Sequence, residues 1–107
     1  EHIEEEDIDD VLKLIYSKAN KFVYHGICTI PAVAKLPNGE NAHVTVKSID
    51  WWVDKILKHS DKTTWIYCYG LSNQLVKIEN KYNYWSLNIY SFFKYTHSII
   101  TYIKNLY

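Results

Sequence analysis

The sequence predicts one compact α+β domain over residues 1–107, an antiparallel sheet of about five strands with three helices in the order α-β-β-α-β-β-β-α. Three observations carry this reading. Apolar residues recur at helical spacing in three separate stretches, and runs of alternating β-branched and aromatic residues lie between them. Only three Gly and two Pro punctuate 107 residues, with no repeat or linker, so one core is expected. A chain this long buries roughly 65% of its surface, enough for a single core and too little for two.

Ile8, Val11, Leu12, Ile15, Tyr16 and Ala19 mark a first helix from about residue 5 to 20 behind the acidic segment 1–10. The run 22–30 reads as a strand that Pro31 bends or ends. A hairpin is expected next, with 32–36 and 41–46 as its strands around Pro37-Asn38-Gly39-Glu40, where Gly supplies the positive φ a tight turn needs. Ser48 suits an N-cap for a second helix carrying Ile49, Trp52, Val53, Ile56 and Leu57 on one stripe, with Trp51 beside it. Three strands follow at 63–69, 75–79 and 84–90, and a third helix at about 91–106. Its stripe is Phe92, Tyr95, Ile99, Tyr102, Ile103 and Leu106, and Phe93, Ile100 and Tyr107 form a second apolar line about 100° round. The order of these elements resembles the roadblock/longin arrangement; the resemblance rests on that order alone and implies no site.

Composition narrows the function classes. All twelve cations are Lys, and Arg is absent, which disfavours the bidentate gripping used in base-specific duplex readout. Seven of the twelve acids lie within the first ten residues, so residues 11–107 carry a formal +7 although the whole chain is neutral. The acids complement the positive end of the first helix, or form an arm that folds over a basic surface. No apolar run approaches the roughly 20 residues of a membrane span and no signal peptide is evident, so a soluble chain with an intracellular location is expected. Cys28 and Cys68 read as buried reduced thiols, or as one disulfide if the protein is secreted.

Period two places Val44 and Val46, Val76 and Ile78, and Trp85, Leu87 and Ile89 on a core face. His43, Thr45, Lys47, Lys77, Glu79, Tyr84 and Tyr90 fall on the other, joined by Trp65, Tyr67 and Tyr69 if Ile66 and Cys68 point inward. Such a face suits a protein partner, because Tyr and Trp give large rigid contact area at low entropy cost. The reading is a non-enzymatic protein-interaction domain binding another protein or itself through Trp51, Trp65, Tyr67, Tyr69, Tyr84, Tyr90, Phe93, Ile100 and Tyr107. The alternative is a nucleic-acid or anion binder using the Lys-rich body and stacking bases on the aromatics. A second alternative is a small enzyme whose site leaves no local motif.

No local pattern supports catalysis. His43-Val44-Thr45-Val46 resembles one half of a 2H phosphoesterase site, but that chemistry needs a second His-x-Thr/Ser, and the chain has none. A metal set drawn from His25, Cys28, His43 and Cys68 is disfavoured because strand residues three apart face opposite sides, so neither a metal ligand set nor a cofactor is expected.

Overall fold

The computed structural model describes residues 1–70, 73–80 and 83–88, of which 80 and 83–88 are described as backbone. After a 3-10 turn at Glu5–Asp7, helix α1 (Ile8–Lys18) buries Ile8, Leu12 and Tyr16, one residue per turn. Asp9 and Asp10 sit in its first turn and Lys18 in its last, both matched to the helix dipole. Strand β1 (Phe22–Cys28) follows, then a long connection to helix α2 (Ile49–Leu57). The Ser48 hydroxyl accepts the Trp51 N–H at 3.2 Å, the cap expected of that residue. Strands β2 (Thr63–Tyr69), β3 (Gln74–Asn80) and β4 (Asn83–Asn88) complete a sheet in the order β1-β2-β3-β4.

The sheet is mixed, where an antiparallel one was expected. β1 runs parallel to β2, Phe22 opposite Thr63 and Cys28 opposite Tyr69, while β2–β3 and β3–β4 are antiparallel. Parallel neighbours need a long crossover, and residues 29–62, with α2 inside them, provide it. Both helices lie on one face of the sheet. Ile8, Leu12 and Tyr16 of α1 and Trp52, Val53 and Ile56 of α2 form one core with Val23, Ile27, Ile66, Cys68, Val76 and Ile78 of the sheet.

The hairpin expected at 32–46 is replaced by an irregular loop. Its turn forms as anticipated: Gly39 has φ +88° and its N–H meets the Leu36 carbonyl at 2.9 Å. The flanking strands do not, and a single bridge joins Lys35 and Asn41. The Asn41 side chain takes the partners a ladder would use, accepting from Ala32 N and His43 N (both 2.9 Å) and donating to Ala32 O (2.8 Å). Side-chain amides that bond locally in this way compete with strand pairing. Residues 42–45 instead run beside the N-terminal residues, with Thr45 N on Glu1 O (3.0 Å) and the Thr45 hydroxyl on Ile3 O (2.6 Å). Thr45 is therefore the buried member of this segment and Val46 is exposed, the reverse of the parity expected from the sequence.

A second register differs from expectation. An irregularity between Ile78 and Asn80 shifts β4 so that Tyr84 pairs with Ile78 and Ser86 with Val76, whereas Trp85 pairs with Lys77 and Leu87 with Leu75. A one-residue slip exchanges the faces of a whole strand. Position 84 thus joins the rows of the buried residues, and 85 and 87 join the opposite rows. The described residues hold four strands and two helices. The third helix expected at 91–106 lies outside them, as do Tyr90, Phe93, Ile100 and Tyr107.

Candidate functional site

On the face opposite α1 and α2, parallel pairing aligns Tyr24 with Trp65, Gly26 with Tyr67 and Cys28 with Tyr69, and antiparallel pairing continues the first two rows to Lys77 and Leu75. Period two along β2 buries Thr64, Ile66 and Cys68 among the helices and leaves Trp65 and Tyr67 half-buried and Tyr69 exposed on the outer side. β1 adds Phe22 and Tyr24, 63% and 59% exposed. The Tyr67 and Tyr69 rings are 5.9 Å apart, and the Lys77 ammonium lies 5.3 Å from the Trp65 ring centre while donating to Glu79 at 2.8 Å. That pair leaves the described part of this face with little net charge. Gly26, opposite Tyr67, adds no side chain to that row, and the Tyr24 ring lies beside it.

The residues singled out from sequence are distributed unevenly. Trp65, Tyr67 and Tyr69 lie together. Trp51 does not join them: it is half-buried on α2, edge-on to Trp52 at 4.9 Å, with the ammonium groups of Lys47 and Lys55 at 5.2 and 5.4 Å from its ring. Those lysines are tied to the acidic segment, Lys47 to Glu5 (2.6 Å) and Lys55 to Asp9 (3.0 Å), and Asp9 also accepts from His59 at 2.6 Å. The two hydrogen bonds to Asp9 hold its carboxyl down at about 2. The acidic segment thus folds over basic residues of this same domain. Phe22 and Tyr24 were missed, although their alternation with Val23 and His25 marked them. Only the parallel register, invisible in the sequence, sets Tyr24 beside Trp65.

The sequence also gave no reason to join Glu1, His2 and His43, which pairing of the N-terminal residues with 42–45 brings together. One nitrogen or oxygen from each lies within 4.8 Å of the others. His43 Nδ1 is 2.7 Å from Ile30 O and His2 Nδ1 is 3.0 Å from Ala42 O, while both Nε2 atoms turn to Glu1 Oε1 at 4.0 and 3.7 Å. The Glu1 charge is the first cause of a raised Tyr69 phenol pKa and adds to the burial that pushes the Cys68 thiol up to about 11.

The other chemical candidates come apart. His25 faces the helices, 3.3 Å from the Tyr16 hydroxyl, and burial lowers its pKa to about 4, so it is a part-buried ring that favours the neutral form. The Tyr16 hydroxyl itself meets Thr64 Oγ1 at 2.7 Å. The Thr45 hydroxyl is taken by Ile3 O, which closes the half-motif around His43. Cys28 and Cys68 are free and buried, and their strand positions put them on opposite faces. No described helix is long and apolar enough to cross a membrane. A cleft of about 140 Å³ between α1 and β1 is lined by Glu1, His25, Trp52 and mostly apolar residues, small beside the roughly 300 Å³ at which ligand pockets begin. No family model, curated protein or solved structure matches the chain.

Proposed function

We propose that this chain is a protein-interaction domain whose partner docks on the sheet face bearing Phe22, Tyr24, Trp65, Tyr67 and Tyr69. The observation that carries the reading is the exposure of Phe22 and Tyr24 in register with the aromatic row of β2, on the face that α1 and α2 leave uncovered. Contiguous aromatic surface of this kind stabilises complexes by desolvation. Charge favours a protein over a nucleic acid. Lys77, the cation in the described rows of this face, is paired with Glu79, whereas a strand of phosphates is tracked by a positive groove. β1 is also an edge strand, and no described strand pairs with its outward side, so an extended partner segment has backbone groups to join as well as rings to cover.

A photo-crosslinking amino acid placed at Tyr24, with a control at the exposed Lys13 of α1, tests this. The expected result is a protein adduct of defined mass from position 24 and none from position 13, lost when Phe22→Asp is added. Self-association gives an adduct of twice the chain mass. Retention of single-stranded oligonucleotide at low salt, abolished by Tyr24→Ala and without any protein adduct, overturns the reading in favour of nucleic acid. If Tyr24→Asp lowers thermal stability by several degrees and no adduct forms between chains, the face belongs to this chain's own core and the proposal is wrong.

A further inference from the structure

We propose that Glu1, His2 and His43 form a binding site for a divalent transition-metal ion, of which Zn²⁺ fits the donor set. The argument starts from hydrogen positions. A backbone carbonyl only accepts, so Ile30 O and Ala42 O require the hydrogen on Nδ1 of His43 and of His2. In each neutral ring this leaves a lone pair on Nε2, and both lone pairs face the Glu1 carboxylate, itself only an acceptor. Three acceptors turned to one point repel one another unless a proton or a metal ion lies among them, and two imidazoles with a carboxylate can hold the ion.

The rings are also oriented as metal-binding imidazoles are. A ligating histidine donates its second N–H to a carbonyl or carboxylate, which fixes the tautomer and raises the basicity of the ligating nitrogen. Here both rings are held in this way. His43 is anchored in the loop and its side chain is 13% exposed, the Glu1 side chain is 9% exposed, and His2 closes the site from the solvent side at 65%. Two imidazoles and one carboxylate are a donor set that Zn²⁺ takes in sites that keep a fourth position for water. Bonds of about 2.0–2.1 Å set tetrahedral ligand atoms about 3.3 Å apart. The Nε2–Oε1 separations of 3.7 Å to His2 and 4.0 Å to His43 close to that value by small rotations, the first of the exposed His2 and the second of the Glu1 carboxylate towards His43. The ion joins the N-terminal residues to the loop carrying His43, where Glu1 O and Ile3 O already hold Thr45.

The test is a Zn²⁺ titration of the full chain, free of any histidine tag, by calorimetry with a thermal melt alongside. One equivalent is expected to bind and to raise the melting temperature. His2→Ala should weaken binding about tenfold or more, as should Glu1→Gln. His2 is exposed, so its variant is expected to melt near the wild type in metal-free buffer and loss of binding is not confounded by unfolding. No stoichiometric uptake, or uptake unchanged in both variants, overturns the site. Uptake lost only when Cys28 or Cys68 is replaced moves it to the thiols and overturns it equally.

Discussion

His25 shows how partial burial beside the core makes an ionisable side chain acid-labile. Its folded pKa of about 4 lies below the ordinary value of 6.5, so the unfolded chain binds a proton first as pH falls. Stability is unaffected above about pH 6.5, declines between 6.5 and 4, and levels off below. Taken whole, the shift corresponds to about 3 kcal/mol. Denaturant melts of wild type and His25→Leu at pH 7 and pH 4.5 check this, and the variant should lose most of the slope. Asp9 has the same sign in a lower window: its depressed carboxyl contributes stability above about 3.8 that disappears as pH falls towards 2. Histidine in an alternating strand was legible as a position, but its interior role was not. It depends on Tyr16 lying over β1, a contact between elements.

At the scale of elements, α2 was fully legible: the stripe, the cap and the acidic first turn sit in consecutive residues and need no tertiary information. Ser48→Ala removes the acceptor for Trp51 N and should cost about 1 kcal/mol, read as a lower denaturant midpoint at unchanged slope. The β2 alternation was legible as well, but which of its two faces turns inward is settled only by packing, which buries Thr64, Ile66 and Cys68. The hairpin at 32–46 was half legible, because Pro37, Asn38 and Gly39 specify a turn whatever flanks it. Whether strands flank it depends on competing partners. Asn41 offers an amide to Ala32, and the N-terminal residues offer Glu1 O and Ile3 O to Thr45. The β4 register depends on the irregularity after Ile78, and one residue of slip moves Trp85 from the expected core rows to those of Lys77. The candidate surface was legible through Trp65, Tyr67 and Tyr69. Phe22 and Tyr24 joined it only through a parallel pairing that no local pattern encodes.

At the scale of the whole molecule, the described residues share one core between the sheet and two helices. Ile56, Ile66 and Ile78 are fully buried there, and Ile66→Ala should cost about 2–5 kcal/mol. Denaturant melts measure it, and a cost below 1 kcal/mol would contradict the packing described. The parallel pairing of β1 with β2 has a further consequence, for synthesis on the ribosome. Phe22 lies opposite Thr63 and Cys28 opposite Tyr69, so β1 leaves the ribosome some forty residues before its sheet partner exists. The antiparallel β2–β3 pair, joined by a short connection, can form as soon as it emerges, whereas β1 must close a long loop to reach it. Until then Phe22, Val23, Tyr24 and Ile27 belong to an unpaired apolar strand, the kind of segment that chaperones hold and that aggregates when they do not. The strand that supplies Phe22 and Tyr24 to the folded surface is thus also one that the nascent chain leaves unpaired longest before its partner β2 emerges.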